Sequence, residues 1–199
     1  MKKLLGYILL AALPTLTAKA YETMYERTPV GTIEIKKIPR RTALEATSQN
    51  AYFEGGNNLF RTLFRYISSN DVAMTVPVEA EIKPGKMRFF VGSKDMKKKL
   101  PSGDGVAVKE MEPLTVLAIG IRGSYTEKRF NQNEEKLKAW LVENPGFEAT
   151  SAPYGVYWNS PFVPGFFKRS EIHIEIRRKE KTIEDKERHS PTKPESNDS

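Results

Sequence analysis

Between Thr32 and Ile38 the apolar residues Ile33, Ile35 and Ile38 stand among Glu and Lys, which reads as a strand. After Pro39-Arg40-Arg41 the segment Thr42–Thr47 reads as a second strand, reached by a tight turn. The period then changes. Leu59, Phe60, Leu63, Phe64 and Ile67 fall on one face of a helix predicted over Tyr52–Ile67, with Arg61 and Arg65 toward the other side and Gly55-Gly56 weakening its first turns. Ala73–Ile82 and Met87–Gly92 return to strand character, joined by a Lys83-Pro84-Gly85-Lys86 turn, so the first half reads ββαββ.

The second half repeats that order. Val106–Met111 and Leu114–Ile121 read as strands separated by Pro113. A helix is predicted over about Thr126–Glu143 with Phe130, Leu137, Trp140 and Leu141 as its buried stripe, and Phe147–Trp158 and Glu171–Arg177 close the unit. Thr42 and Thr115, each opening a second strand, are 73 positions apart, which points to an internal duplication. One ββαββ unit leaves a sheet face or edge open to water, whereas two related by a pseudo-twofold axis bury both in a common core. The expected fold is α+β: duplicated ββαββ units forming a distorted antiparallel β-barrel with two flanking helices, and a pocket at the seam between the halves.

Composition narrows the chemistry more than the fold. The 199 residues include no cysteine and two histidines, which excludes disulfides, thiol nucleophiles, thiolate zinc sites and imidazole metal cages, so no metal site is expected. A formal charge of +7 falls to +4 once Lys2, Lys3 and Lys19 are removed with a leader. The one dense basic run, Lys94–Lys99, adjoins Pro101-Ser102-Gly103 and reads as a solvated loop, so no nucleic-acid partner is expected.

Residues 1–20 have the form of a secretory signal peptide: Lys2-Lys3, an apolar run from Leu4 to Leu13, and small residues in Ala18-Lys19-Ala20 before Tyr21. That run is too short for a hydrocarbon core that needs about 20 residues, so no stable membrane insertion is expected after cleavage. The expectation is an exported protein, periplasmic in a Gram-negative cell, with a domain over residues 21–178 and a charged, disordered tail over 179–199.

Two stretches are distinctive: Val72-Ala73-Met74-Thr75-Val76-Pro77-Val78, and Tyr157-Trp158-Asn159-Ser160-Pro161-Phe162 running on to Ile172. Together with Ile33–Pro39 and the helix ending Phe64-Arg65-Tyr66-Ile67, in that order, they make the chain resemble the SOUL haem-binding family over about Tyr21–Arg178. The resemblance implies the same duplicated barrel, related to bacterial effector-binding domains, and binding of haem or another tetrapyrrole on a hydrophobic surface lined by the first helix and the loop before the last strand. It places the ligand contacts at Phe60, Leu63, Phe64 and Arg65 on the helix, Arg65 facing a propionate, and at Phe162, Val163 and Phe166 in the loop. Where one branch of the family has a proposed axial His, this chain has Lys37, a poor iron ligand unless deprotonated.

The remaining candidates carry less. His173 alternates with Ile172 and Ile174 and is expected on the solvated face of its strand, and Tyr154 and Tyr157 are expected to pack rather than ligate iron as phenolates. Glu45, Glu134 and Glu135 have no base or metal beside them, and no nucleophile elbow, zincin motif or phosphate loop occurs, so nothing points to an enzyme. The expected function is non-covalent binding of haem or a related flat hydrophobic ligand by a monomer, for buffering or carriage, without obligatory His ligation. The competing expectation is a protein-interaction or small-molecule effector-sensing module that keeps the fold without haem binding.

Overall fold

The computed structural model describes residues 21–55 and 58–179; the predicted leader and nearly all of the predicted tail lie outside the described residues. The elements in order are β1 (Glu22–Thr23), β2 (Ile33–Ile38), β3 (Arg41–Thr47), α1 (Leu59–Ser69), β4 (Thr75–Val76), β5 (Val78–Glu81), β6 (Lys86–Phe90), β7 (Ala107–Met111), β8 (Leu114–Arg122), α2 (Glu127–Glu143), β9 (Phe147–Ala149), β10 (Tyr154–Tyr157) and β11 (Arg169–Arg178). Short 3₁₀ turns occupy Tyr52–Glu54 and Gly165–Phe167.

The main sheet runs β2-β8-β11-β10-β5-β6-β3-β7, with β9 added beside β11, and its ladders are antiparallel. Exchanging β2 with β7, β3 with β8, β5 with β10 and β6 with β11 reverses that order onto itself. The duplication is therefore visible in the topology, with the pseudo-twofold between β5 and β10 and the first strand of each half paired to the other half. No pairing joins β2 to β7 among the described residues, so the sheet is a curled half-barrel.

Several boundaries differ from the sequence reading for local reasons. Pro77 has no N–H for a ladder, and the predicted Ala73–Ile82 strand divides into β4 and β5 around it. Ser151-Ala152-Pro153 likewise divides the predicted Phe147–Trp158 strand. Helix α1 begins at Leu59 instead of Tyr52, because Gly55 takes a φ of 76° and ends the first turn there. Helix α2 begins as expected, with the Thr126 side chain accepting from the Arg129 N–H at 3.3 Å.

Alternation along the strands gives the sheet two chemically opposite faces. The apolar face carries Leu44, Val78, Ala80, Met87 and Phe89 under α1, and Leu117, Ile119, Ile172, Ile174 and Ile176 under α2. The other face carries charge, and here the expectation for His173 is corrected: the residue is fully buried. Alternation places it on the charged face, and that face is covered by the segment running from β1 through Thr28. Glu171 accepts the Thr28 N–H (2.9 Å), Thr28 Oγ1 (2.8 Å) and Trp158 Nε1 (2.8 Å), pairs with Lys36 Nζ at 2.9 Å, and lies 2.7 Å from His173 Nε2. Arg41 pairs with Glu79 at 2.5 Å beneath Tyr25, whose hydroxyl donates to Glu79 at 3.2 Å. Glu45, also buried, is held by Arg88 (2.7 Å) and Lys109 (2.6 Å). Gly120 is required where this segment crosses β8, since a Cβ there would lie 2.2 Å from the Pro29 carbonyl oxygen.

Candidate functional site

The apolar face of the sheet does not end under α1. At the N-terminal end of that helix a groove of about 400 Å³ opens between Phe60, Arg61 and Phe64 on one side and Asn159–Phe162 on the other, floored by Met74, Val78 and Tyr157 and rimmed by Tyr21. Phe60 and Phe64, one helical turn apart, present near-parallel rings at 6.0 Å and 11°. Phe60 is anchored edge-on against the buried Phe89 at 5.2 Å, whereas Phe64 is 51 % exposed. Opposite them Phe162 is 93 % exposed. A groove lined by three phenylalanines, two of them largely exposed, offers apolar aromatic surface to a planar apolar body.

The loop carrying Phe162 is fixed at its neck. Asn159 Oδ1 accepts the Arg169 N–H at 2.6 Å, while the Tyr125 hydroxyl donates to the Arg169 carbonyl at 2.8 Å and accepts the Asn159 N–H at 3.1 Å. The Val163 N–H bonds the Ser160 carbonyl at 3.1 Å, and Lys168 Nζ reaches the Pro161 carbonyl at 3.0 Å. The Asn-Ser-Pro motif is thus a clamp that closes a hairpin-like loop, and Tyr125, which nothing in its sequence neighbourhood marks out, completes it.

Of the residues expected to meet a ligand, Phe60, Phe64 and Phe162 converge on the groove. Leu63 does not: it is 0 % exposed and packs into the core beneath α1. Arg65 is exposed and lies outside the groove lining, and the cation at the groove is Arg61, one turn earlier. Val163 is half-buried within the loop, and Phe166, in the Gly165–Phe167 turn, stands beside Arg122, Ser124 and Arg129 instead. Lys37 is exposed on the edge strand β2.

No histidine lines the groove among the described residues, since His173 is buried on the charged face. Two tyrosines line the groove, the exposed Tyr21 at its rim and the buried Tyr157 in its floor. Burial, reinforced by Tyr52, pushes the pKa of Tyr157 well above 10, and burial likewise pushes Tyr125 beside it up to about 12. These phenols stay protonated at physiological pH, so they offer aromatic surface and hydrogen bonds in place of an anionic ligand. The residues present fit a haem held by its macrocycle: three Phe faces for the ring and Arg61 for a carboxylate. Among the described residues no cluster of His, Cys, Asp or Glu is arranged to hold a metal ion, and no helix is long and apolar enough to cross a membrane.

Comparison with known structures returns the same architecture at low identity. The C-terminal domain of EcmrR matches with a TM-score of 0.59 at 14% identity, over 74% of this chain and 98% of that one. EcmrR in a complex with DNA matches with the same score and identity, but over only 57% of that chain, so much of the longer protein has no counterpart here. A protein from Listeria innocua described as a hydrolase matches with a TM-score of 0.53 at 10% identity, over 77% of this chain and 94% of that one. These likenesses speak for the fold. No curated protein matches by sequence. The family model described as SOUL heme-binding protein matches residues 17–175, through both halves of the duplication and the whole groove, and the chain belongs to that family.

Proposed function

We propose that this protein binds haem or a related tetrapyrrole in the groove between α1 and the Asn159–Phe162 loop, as an exported monomer that buffers or carries its ligand. The observation that carries the reading is the convergence of Phe60, Phe64 and Phe162, from α1 and from the loop before β11, on one apolar groove, with Phe64 and Phe162 exposed in the free protein. Haem would supply a flat apolar macrocycle and two carboxylates. The protein's part is to cover the ring faces with phenyl groups, to exclude water from them, and to set the Arg61 guanidinium where a propionate leaves the slot. With no imidazole lining the groove among the described residues and the Tyr157 phenol held protonated, binding rests on burial. Affinity is then moderate, and iron is dispensable.

The test is a visible-absorption titration with haemin and with iron-free protoporphyrin. Saturable one-to-one binding of both, with comparable affinities, is the expected result. Absence of saturable binding by either at micromolar concentrations would overturn the reading in favour of an interaction or effector-sensing module.

A further inference from the structure

The pseudo-twofold that relates the two halves also relates their surfaces. The groove lies where the start of α1, the strands β4 and β5, and the β10–β11 loop converge. Exchanging the halves turns those elements into the start of α2, the strands β9 and β10, and the β5–β6 turn. At that position is a second cavity of about 480 Å³, bordered by Glu127, Phe130 and Glu134 of α2, the Ser151–Tyr154 stretch, and Glu81–Lys83. The two share no lining residue. The cavity is thus a pocket that the duplicated architecture builds twice.

Its chemistry is opposite to that of the groove. Glu79, Glu81, Glu127, Glu134 and Glu175 border it, against two cations, Lys83 and Arg88. Four of these seven charges are committed: Glu79 to Arg41, Glu81 to Lys86 and Arg88, and Glu134 to Lys138. Glu127 and Lys83 are exposed to solvent and make no ion pair among the described residues, which leaves Glu175 as the one uncommitted charge of the lining that is withdrawn from water. Its N–H bonds Ser151 Oγ at 2.9 Å, but its half-buried carboxylate pairs with no cation among the described residues. Across the β10–β11 ladder stands Tyr154, 4 % exposed, whose hydroxyl makes no hydrogen bond among the described residues although the residue borders the cavity. A phenol whose ring is buried while its hydroxyl stays accessible and unpaired, and a half-buried carboxylate without a counter-ion, leave an acceptor and a charge open to a donor from outside.

We infer that this cavity is a second ligand site, and that its ligand is an organic cation with an aromatic or alicyclic body: a protonated amine that pairs with Glu175, donates to the Tyr154 hydroxyl oxygen, and lays its apolar part against Phe130, Met111 and Leu114. A bare metal ion does not fit, because no three acidic or imidazole side chains among the described residues are close enough to ligate one. The volume is that of a pocket for a small organic molecule, and the Phe130 and Tyr154 rings suit a cation. This site is independent of tetrapyrrole binding in the groove.

The probe is 9-aminoacridine, a fluorescent aromatic cation at neutral pH, with acridine as its largely uncharged isostere. Fluorescence titration of the protein is expected to give saturable one-to-one binding of the cation and at least tenfold weaker binding of acridine. Glu175→Gln should weaken the cation tenfold or more, and Tyr154→Phe severalfold, with unchanged circular dichroism, while Phe162→Ala and saturating haemin should leave it unaffected. Equal binding of cation and isostere, wild-type affinity in Glu175→Gln, or displacement by haemin would each overturn the inference. Haemin titration of Glu175→Gln separates the two sites, since the groove does not contain that residue.

Discussion

Phe162→Ala separates binding from folding more cleanly than any other change at the groove. The side chain is 93 % exposed in the free protein, so its removal takes nothing from the core and should move stability by no more than about 0.5 kcal/mol. A flat ligand seated against Phe60 and Phe64 would cover about 100 Å² of that ring, equivalent to about 2.5 kcal/mol at 25 cal/mol per Å². Ordering the ligand and the loop offsets part of this, so the expected loss of affinity is about 10- to 60-fold. The assay is parallel titration of wild type and variant with haemin and iron-free protoporphyrin, with urea unfolding of each protein alone. Unchanged dissociation constants for both ligands would refute the reasoning. So would an effect on haemin alone, which would mean that iron ligation rather than ring burial governs the site.

Three further outcomes follow from the same geometry. Arg61→Ala should weaken a dicarboxylate porphyrin severalfold at low salt while leaving its dimethyl ester unaffected, and Arg65→Ala should change neither, as titration of both ligands would report. Leu63→Ala should cost about 2–5 kcal/mol of stability by urea unfolding, through the cavity left beneath α1, without changing ligand affinity in the protein that remains folded. Glu171 answers to pH: burial would raise its carboxyl, but hydrogen bonds and charge from His173 and Lys36 prevail and hold it at about 2, against an ordinary 4.5. The lowered value means that its contribution, about 3 kcal/mol, is present above about pH 5 and disappears as the pH falls toward 2, so urea midpoints should drop through that window and the drop should flatten in Glu171→Gln.

Local pattern made much of this legible. The run Leu59-Leu63-Ile67 marked the buried stripe of α1, and period-2 alternation assigned each strand residue to its face, His173 included. What alternation does not contain is the identity of the cover. His173 and Glu171 look solvated in their own strand and are buried because distant residues cover them: Tyr25 and Tyr154 pack against the His173 ring, and Thr28, 143 positions before Glu171, bonds its carboxylate. The ligand contacts show the same limit at shorter range. Arg61 and Arg65 share a helix face, and sequence spacing cannot say which turn meets the groove; the loop clamped by Asn159 and Tyr125 sits against the first turns, which selects Arg61. Phe162 and Phe166 are four positions apart in an aromatic loop, yet the Gly165–Phe167 turn sends the second to another part of the surface.

A pocket was expected at the seam between the halves, and the ladder of that seam explains why there are two. β5 and β10 pair through Tyr157↔Val78, Val156↔Glu79, Gly155↔Ala80 and Tyr154↔Glu81. On the charged side of the middle of the ladder Tyr25 and Arg41 both close on Glu79. The two pockets lie at the ends of the ladder. Tyr157 and Val78 floor the groove, and Tyr154 and Glu81 border the acidic cavity. Because the axis exchanges those ends, an ancestral pair of identical units would have carried two identical pockets. The present chain has put three phenylalanines at one and five carboxylates at the other, so neither pocket can take the other's ligand without leaving rings wet or charges unpaired. Grafting makes the point testable: Glu175→Phe should abolish cation binding and leave haemin titration as in wild type, because the four-residue seam separates the two chemistries.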